Sequence, residues 1–250
     1  MTKSIITCFI IFATIFNSYA QIKKFETDSF PTASGGKLII SFIGHGSLML
    51  KYNDVTIHID PSMLYADYST LPKAQLILIT HHHSDHLDST AISKIYMNGT
   101  QIILPQASQT FFFTFLNKLK QGTVMNNGNK INFYGIDIEA VPAYNIAPEK
   151  QKYHPKGRDN GYVITIDGKR IYVAGDTENV PEMANLKNID IAFLPMNQPY
   201  TMTPEQVADG INSFNPKLFY PYHYGDSDIE KLKMLLSKNK KVEVRIRALK

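Results

Sequence analysis

The sequence predicts a single α/β domain in which packed sheets are covered by helices. Three observations carry that prediction. Apolar runs of strand length alternate with helical stretches, and polar clusters recur where the strand-like runs end. Neither a Gly/Ser/Pro-rich linker nor a repeat of about 20–50 residues divides the chain. At 250 residues with 44% hydrophobic and 19% charged side chains, it can bury a sizeable core.

The N-terminal segment MTKSIITCFIIFATIFNSYA has a basic start at Lys3, an apolar run from Ile5 to Phe16, and small residues at Ser18 and Ala20. That is the pattern of a cleaved signal peptide over residues 1–20, too short in its apolar part for a spanning helix of about 20 residues. Export to the periplasm or beyond is therefore expected, leaving residues 21–250 as the mature domain with no stable membrane span. The only cysteine, Cys8, lies inside the segment, and Thr7 before it is a poor match to a lipoprotein cleavage site. The mature chain then has no thiol, which excludes disulfides, cysteine nucleophiles and cysteine-ligated zinc. Cleavage removes one lysine and no acid from a formal net charge of +4, a mild balance that indicates neither nucleic acid nor membrane binding.

Along the mature chain, KLIISFIGHGSLMLKY and VTIHID read as strands around a turn at Asn53-Asp54, and QLILIT as a buried strand. STAISKIYMNG follows as a short helix, QIILP as a strand, and SQTFFFTFLNKLKQG as one helix closed by Gly122. KINFYGIDIEAVPAY and YVITIDGKRIYVAGD bring further strands, the second a hairpin at Asp167-Gly168. IDIAFLP and KLFYPYHY flank the helix TPEQVADGINSF, whose Thr203, Pro204 and Gln206 form a capping-box start. After the helix DIEKLKMLLSK, the alternation of Val242, Val244 and Ile246 with Glu243, Arg245 and Arg247 predicts a half-buried final strand.

Chemistry concentrates in THHHSDH, Thr80 to His86, directly after the apolar run LILI. If the chain continues extended there, His81 and His83 converge on one side and His82 points away. Asp85 and His86 lie past the turn, where they can serve a second metal. Asp176 in YVAGDTE and His223 in YPYHYG also close apolar strand-like runs, so they can reach the same sheet edge. Imidazole and carboxylate suit zinc, manganese or iron. His58, between Ile57 and Ile59, reads as a structural histidine.

THHHSDH matches the HxHxDH signature of the metallo-β-lactamase superfamily, with the GDT segment and a strand-end histidine following in order. IGHGS, IHIDP, VPAYN, HPKG and AGDTE resemble the branch of ascorbate-6-phosphate-lactonase-like and N-acylphosphatidylethanolamine-phospholipase-like hydrolases, over roughly Lys37 to Asp226. The resemblance implies an αββα sandwich with a dinuclear site: His81 and His83 on the first metal, Asp85, His86 and His223 on the second, Asp176 bridging. Asp60 matches the carboxylate that orients a ligand histidine or a loop amide. Where relatives carry the third histidine of the first site, this chain has Asn145, a poorer donor; His154 in YHPKG is the favoured replacement, against Asn145 itself or a two-histidine site. The resemblance implies a place for His45 near the pocket, as a substrate-contacting or proton-shuttling group or as a histidine that only hydrogen-bonds the turn.

The activity expected from the resemblance is that of an exported metal-dependent hydrolase with two divalent ions, zinc before manganese or iron. Water activated by such ions, with a pKa near about 7 on zinc, would be the nucleophile, and Asp85 or Asp176 would relay the proton. The substrate is a small molecule or lipid-like ester, lactone or phosphodiester, with β-lactams least favoured. Lys150, Lys152, Lys156 and Arg158 surround His154; facing the metals they would favour an anionic substrate, and otherwise they form a solvated loop. Tyr144, Tyr200, Tyr222 and Tyr224 are candidate pocket-lining residues, with packing near strand ends the equal alternative. The competing class is a non-catalytic metal- or ligand-binding module, supported in the sequence only by Asn145.

Overall fold

The structure, a computed structural model, describes residues 25–119 and 122–250. The signal-peptide expectation falls on residues 1–20, outside the described residues. Two seven-stranded sheets are built in strict chain order. The first comprises β1 (Glu26–Pro31), β2 (Lys37–Gly44), β3 (Ser47–Tyr52), β4 (Val55–Ile59), β5 (Leu76–Leu78), β6 (Gln101–Leu104) and β7 (Thr123–Val124). The second comprises β8 (Lys130–Phe133), β9 (Ile136–Ala143), β10 (Asp159–Ile166), β11 (Lys169–Val173), β12 (Ile191–Pro195), β13 (Leu218–Tyr222) and β14 (Glu243–Val244).

The sheets pack face to face because each strand alternates sides. Ile57 and Ile59 of β4, Leu76 and Leu78 of β5, Ile171 and Val173 of β11, and Leu218, Tyr220 and Tyr222 of β13 share one core between the sheets. Their neighbours Ile77 and Ile79 face α1 (Ser89–Ile95), while Tyr172, Ala192 and Phe219 face α4 (Pro204–Phe214) and α5 (Ile229–Leu236). Burial on both faces explains why these strands read as continuous apolar runs. The result is the expected αββα sandwich. In α4 the capping box is present, with Gln206 N donating to Thr203 Oγ1 and Thr203 N to Gln206 Oε1.

Four local expectations are corrected. KLIISFIGHGSLMLKY is itself a hairpin, turning at His45-Gly46 with His45 at φ 54°. KINFYGIDIEAVPAY is likewise a hairpin, turning at Tyr134-Gly135. The phenylalanine-rich helix breaks at Phe112 (φ −101°, ψ 11°) into α2 (Gln106–Phe111) and α3 (Phe113–Leu119). The final strand shrinks to Glu243–Val244: after the Arg245 N–H, which still donates to Phe219 O, the pairing with β13 stops, and the Arg245 and Arg247 guanidinium groups reach the Asp28 carboxylate on β1 at 3.2 and 2.8 Å.

Candidate metal centre

The polar residues gather at one edge of the sandwich, past the C-terminal ends of parallel strands. Asp60 follows β4, Thr80 and His81 follow β5, Asp176 follows β11 and His223 follows β13. Parallel strands place their C-terminal ends side by side, so residues far apart in the chain meet there. Several of these positions use the left-handed backbone region: His45 (φ 54°), Asp60 (φ 47°), Gly175 (φ 66°) and His223 (φ 46°). For the three non-glycine residues this costs about 1–3 kcal/mol each, and such strain concentrates at functional sites.

Among the described residues two clusters result, joined by a third group of His81, His86 and Asp176. His81, His83 and His154 bring one ring nitrogen each within 4.8 Å of one another, and His45, Asp85, His86 and His223 form a second set at the same limit. Asp176 lies between them: Oδ2 is 3.4 Å from His154 Nε2 and 3.3 Å from His223 Nε2, and Oδ1 is 3.5 Å from His86 Nε2. His82 stands aside, its ring 5.4 Å from that of exposed Phe111. The strand has ended by then, yet the sidedness expected from alternation is kept.

Each buried imidazole is oriented from behind. Thr80 Oγ1 donates to Asp60 Oδ2 at 2.6 Å and so accepts from His81 Nδ1 at 3.0 Å. His86 Nδ1 donates to Asp60 Oδ2 at 2.8 Å, and His154 Nδ1 to Asp159 Oδ2 at 3.1 Å. In all three rings the proton is thereby held at Nδ1 and the Nε2 lone pair faces the centre. Gly46 packs against the His86 ring so closely that a Cβ there would lie 2.6 Å from His86 Cε1.

The donor set fits a cation. His86 Nε2 and Asp176 Oδ1 are buried and make no hydrogen bond among the described residues. Such orphaned atoms are costly unless something else pairs them. Burial opposes charge on Asp176, yet the His223 and His86 imidazoles and the His154 hydrogen bond hold its carboxyl well below the usual carboxylate range. Burial likewise opposes charge on His86, but Asp176, Asp60 and Asp85 outweigh it and raise the imidazole to about 10, so a positive charge at Nε2, a proton or in its place a metal ion, is favoured there. Positive charge is what this enclosure demands.

A cavity of about 500 Å³ opens over the centre, lined by His45, His83, Asp85, His154, Asp176 and His223 together with Tyr65, Ser84, Tyr153, Asn197 and Tyr200. His45 Nε2 is 3.3 Å from Asp85 Oδ2, and its ring stacks on Tyr65 at 4.9 Å. Asn145 is buried with Nδ2 committed to the carbonyls of Lys150 and Tyr200, leaving only Oδ1 without a partner among the described residues; its main-chain N–H donates to His154 O. Of the four candidate tyrosines only Tyr200 lines the cavity. Tyr222 is wholly buried and Tyr144 donates to Glu182. His58 sits in the core, its Nε2 3.0 Å from Pro72 O, as the structural reading expected.

Sequence reasoning missed Tyr65, Tyr153 and Asn197. The last was findable, since it follows the apolar run IAFLPM as Asp176 follows YVAG.

Residues 39–223 match the family described as the Beta-lactamase superfamily domain. A UPF0173 metal-dependent hydrolase of Thermus thermophilus is 32% identical over 194 residues, 74% of this chain and 83% of that protein. A Parabacteroides distasonis crystal structure described as a metal-dependent hydrolase is 53% identical, with a TM-score of 0.85, and covers 91% of this chain and 100% of its own. Igni18, a metallo hydrolase from Ignicoccus hospitalis, shares the fold at 24% identity and a TM-score of 0.70, over 85% of this chain and 95% of its own.

Proposed function

The chain belongs to the β-lactamase superfamily, among its metal-dependent hydrolases, and from that premise we propose a dinuclear hydrolase cleaving an ester, lactone or phosphodiester. The observation that carries the two-ion reading is the Asp176 carboxylate, set between two imidazole clusters within 3.5 Å of His86, His154 and His223. His81, His83 and His154 would hold one ion, Asp85, His86 and His223 the other, and Asp176 would bridge. Zinc suits a set of imidazoles and carboxylates with no sulfur.

Bound there, the ions would supply Lewis acidity and lower the pKa of water to near about 7. The chain's own groups do the rest. Asp60 and Asp159 keep the Nδ1 protons in place, so the Nε2 lone pairs stay available. Asp85, its side chain a third exposed and its Oδ2 3.3 Å from His45 Nε2, would relay a proton to that imidazole at the cavity wall. The resemblance of VPAYN, HPKG and AGDTE supports lactone and phosphodiester chemistry ahead of β-lactams.

Export belongs to the same reading: Lys3, the apolar run and Ala20 support cleavage before Gln21. Among the described residues no helix is long and apolar enough to cross a membrane. The test is metal analysis with activity on the mature protein. About two equivalents of metal, loss of turnover on chelation and recovery with zinc are expected; undiminished hydrolysis by metal-free protein would refute the proposal.

A further inference from the structure

The cavity wall facing the metal centre carries no lysine or arginine among its lining residues. Three of the four cations that surround His154 in sequence are committed elsewhere. Lys150 Nζ is 3.1 Å from the buried Glu178 carboxylate and from Gln198 Oε1 and Thr201 O. Arg158 Nε is 2.8 Å from Asp159 Oδ1, and its Nη2 reaches the Tyr153 carbonyl. Lys156 lies 3.5 Å from Glu182 and over the Tyr144 ring, while the exposed Lys152 borders the cavity, its Nζ 4.9 Å over the lining Tyr153 ring. Among the described residues an anionic substituent would therefore find no ion-paired or buried cation on the wall beyond the metals, and only the exposed Lys152 at its rim.

What the wall offers instead is aromatic surface, one neutral amide and the Ser84 hydroxyl. Tyr153 and Tyr200 meet edge to face at 5.0 Å, contributed by two different loops. Tyr65 lies on His45. The Asn197 side chain makes no hydrogen bond among the described residues, while its backbone is locked: Asn197 N donates to Thr201 Oγ1 at 2.7 Å, and its carbonyl accepts from Tyr200 N and Thr201 N at 3.0 and 2.8 Å. The lock presents Asn197 and Tyr200 to the cavity together. Outside it the apolar character continues: Leu64, next to Tyr65, is 71% exposed, and Phe111, beside His82, is 67% exposed.

We propose, resting on the hydrolase reading above, that this wall is the specificity subsite and that it takes an uncharged, apolar acyl or aryl substituent. The preferred substrate is then a neutral ester or lactone rather than a phosphodiester or a carboxylate-bearing ester. Asn197 would hydrogen-bond a neutral oxygen of the substrate, and the Tyr153 and Tyr200 rings would cover its apolar part.

The experiment compares three chromogenic substrates on zinc-loaded protein: 4-nitrophenyl hexanoate, mono-4-nitrophenyl adipate, in which a carboxylate replaces the terminal methyl, and bis(4-nitrophenyl) phosphate. The hexanoate should exceed both anions by about tenfold or more in kcat/KM, since one well-placed ring contact is worth about that factor. Tyr200→Ala should raise KM for the hexanoate about fivefold to tenfold with little change in kcat, and Tyr200→Phe should restore it. Preference for either anion, or an unchanged KM in Tyr200→Ala, would overturn the subsite. The uncleaved hexanoyl and adipoyl 4-nitroanilides, followed by ligand-observed NMR on the same zinc-loaded protein, separate the two readings. If no ester turns over while the hexanoyl anilide binds better, the hydrolase reading fails and the subsite stands; turnover with adipate favoured fails the subsite alone.

Discussion

The two sheets have the same internal plan and different chemical duties. In each, the first three pairings are antiparallel and the last three parallel. In each, an aspartate follows the fourth strand: Asp60 after β4, Asp176 after β11. The Asp60 carboxylate is used up by Thr80 N, Thr80 Oγ1 and His86 Nδ1, all within 2.8 Å. Asp176 meets only imidazole Nε2 atoms and keeps Oδ1 without a hydrogen bond among the described residues. Equivalent positions thus become an orienting group and a cation-facing group according to the donors supplied by the loops around them.

The largest expected effect tests that division directly. Asp176→Asn should lower kcat/KM by about a thousandfold, since it removes the charge facing both clusters. Asp60→Asn should instead weaken metal affinity by about 10- to 100-fold, the usual cost of losing a group that orients a ligand histidine, with turnover recovering as zinc is raised. Titrating both variants with zinc while following activity checks this. If Asp60→Asn stayed inactive at saturating metal, the two aspartates would not be divided in the way their hydrogen bonds indicate.

How much of this was legible in the sequence follows from the same contrast. Dense strand-end polar residues after apolar runs marked the centre, because the side chains themselves carry that signal. His154 was legible only as a nearby histidine. Its burial against Asp159 depends on how the loop from Asn145 folds, which no local pattern states. The sevenfold plan shared by the sheets left no sequence repeat, since strand direction resides in backbone pairing rather than in side chains. For the same reason β1 was invisible: ETDSFP is polar, and it becomes a strand because β2 offers it a free edge. The cavity wall was the least legible part, for Tyr65, Tyr153 and Asn197 lie on three loops that only the tertiary fold assembles.

A smaller effect compares the outward residues of the two fourth strands. His58, between Ile57 and Ile59, and Tyr172, between Ile171 and Val173, are both buried under covering elements, at Tyr68 and Phe214 respectively. Only the histidine titrates in the acid range: burial lowers its pKa to about 4, with the Pro72 carbonyl working weakly the other way. A pKa depressed below its unfolded value near about 6.5 gives stability that is present above pH 6.5 and lost as pH falls toward 4. By pH 5 that loss should be about 2 kcal/mol. His58→Gln, which can still donate to Pro72 O, should flatten the unfolding free energy between pH 7 and 5 by that amount relative to the parent; denaturant titrations at the two pH values would show it, and identical slopes would place the acid sensitivity elsewhere.

The smallest effect is expected at the histidine that looks most like a ligand. His82 sits within the same seven-residue run as His81, His83 and His86, yet its ring packs between Phe111 and His83, and it belongs to neither cluster of ligand atoms. Burial and the Arg158 charge lower its pKa, in keeping with a neutral packing role. His82→Ala should therefore keep full metal content and kcat/KM within about twofold, the range of a surface substitution away from the chemistry, whereas His83→Ala should lose metal from the first cluster. The difference lies in which side of the chain each ring leaves. Past Leu78 the hydrogen-bonded strand has ended, so nothing in the sheet enforces alternation; the Thr80 hydroxyl on His81 Nδ1 and the His83 carbonyl, which accepts the His86 and Leu87 N–H groups, hold it instead. If His82→Ala cost more metal than His83→Ala in parallel zinc analyses, the loop would have turned over in solution, and His82 would be the ligand that His83 is taken to be.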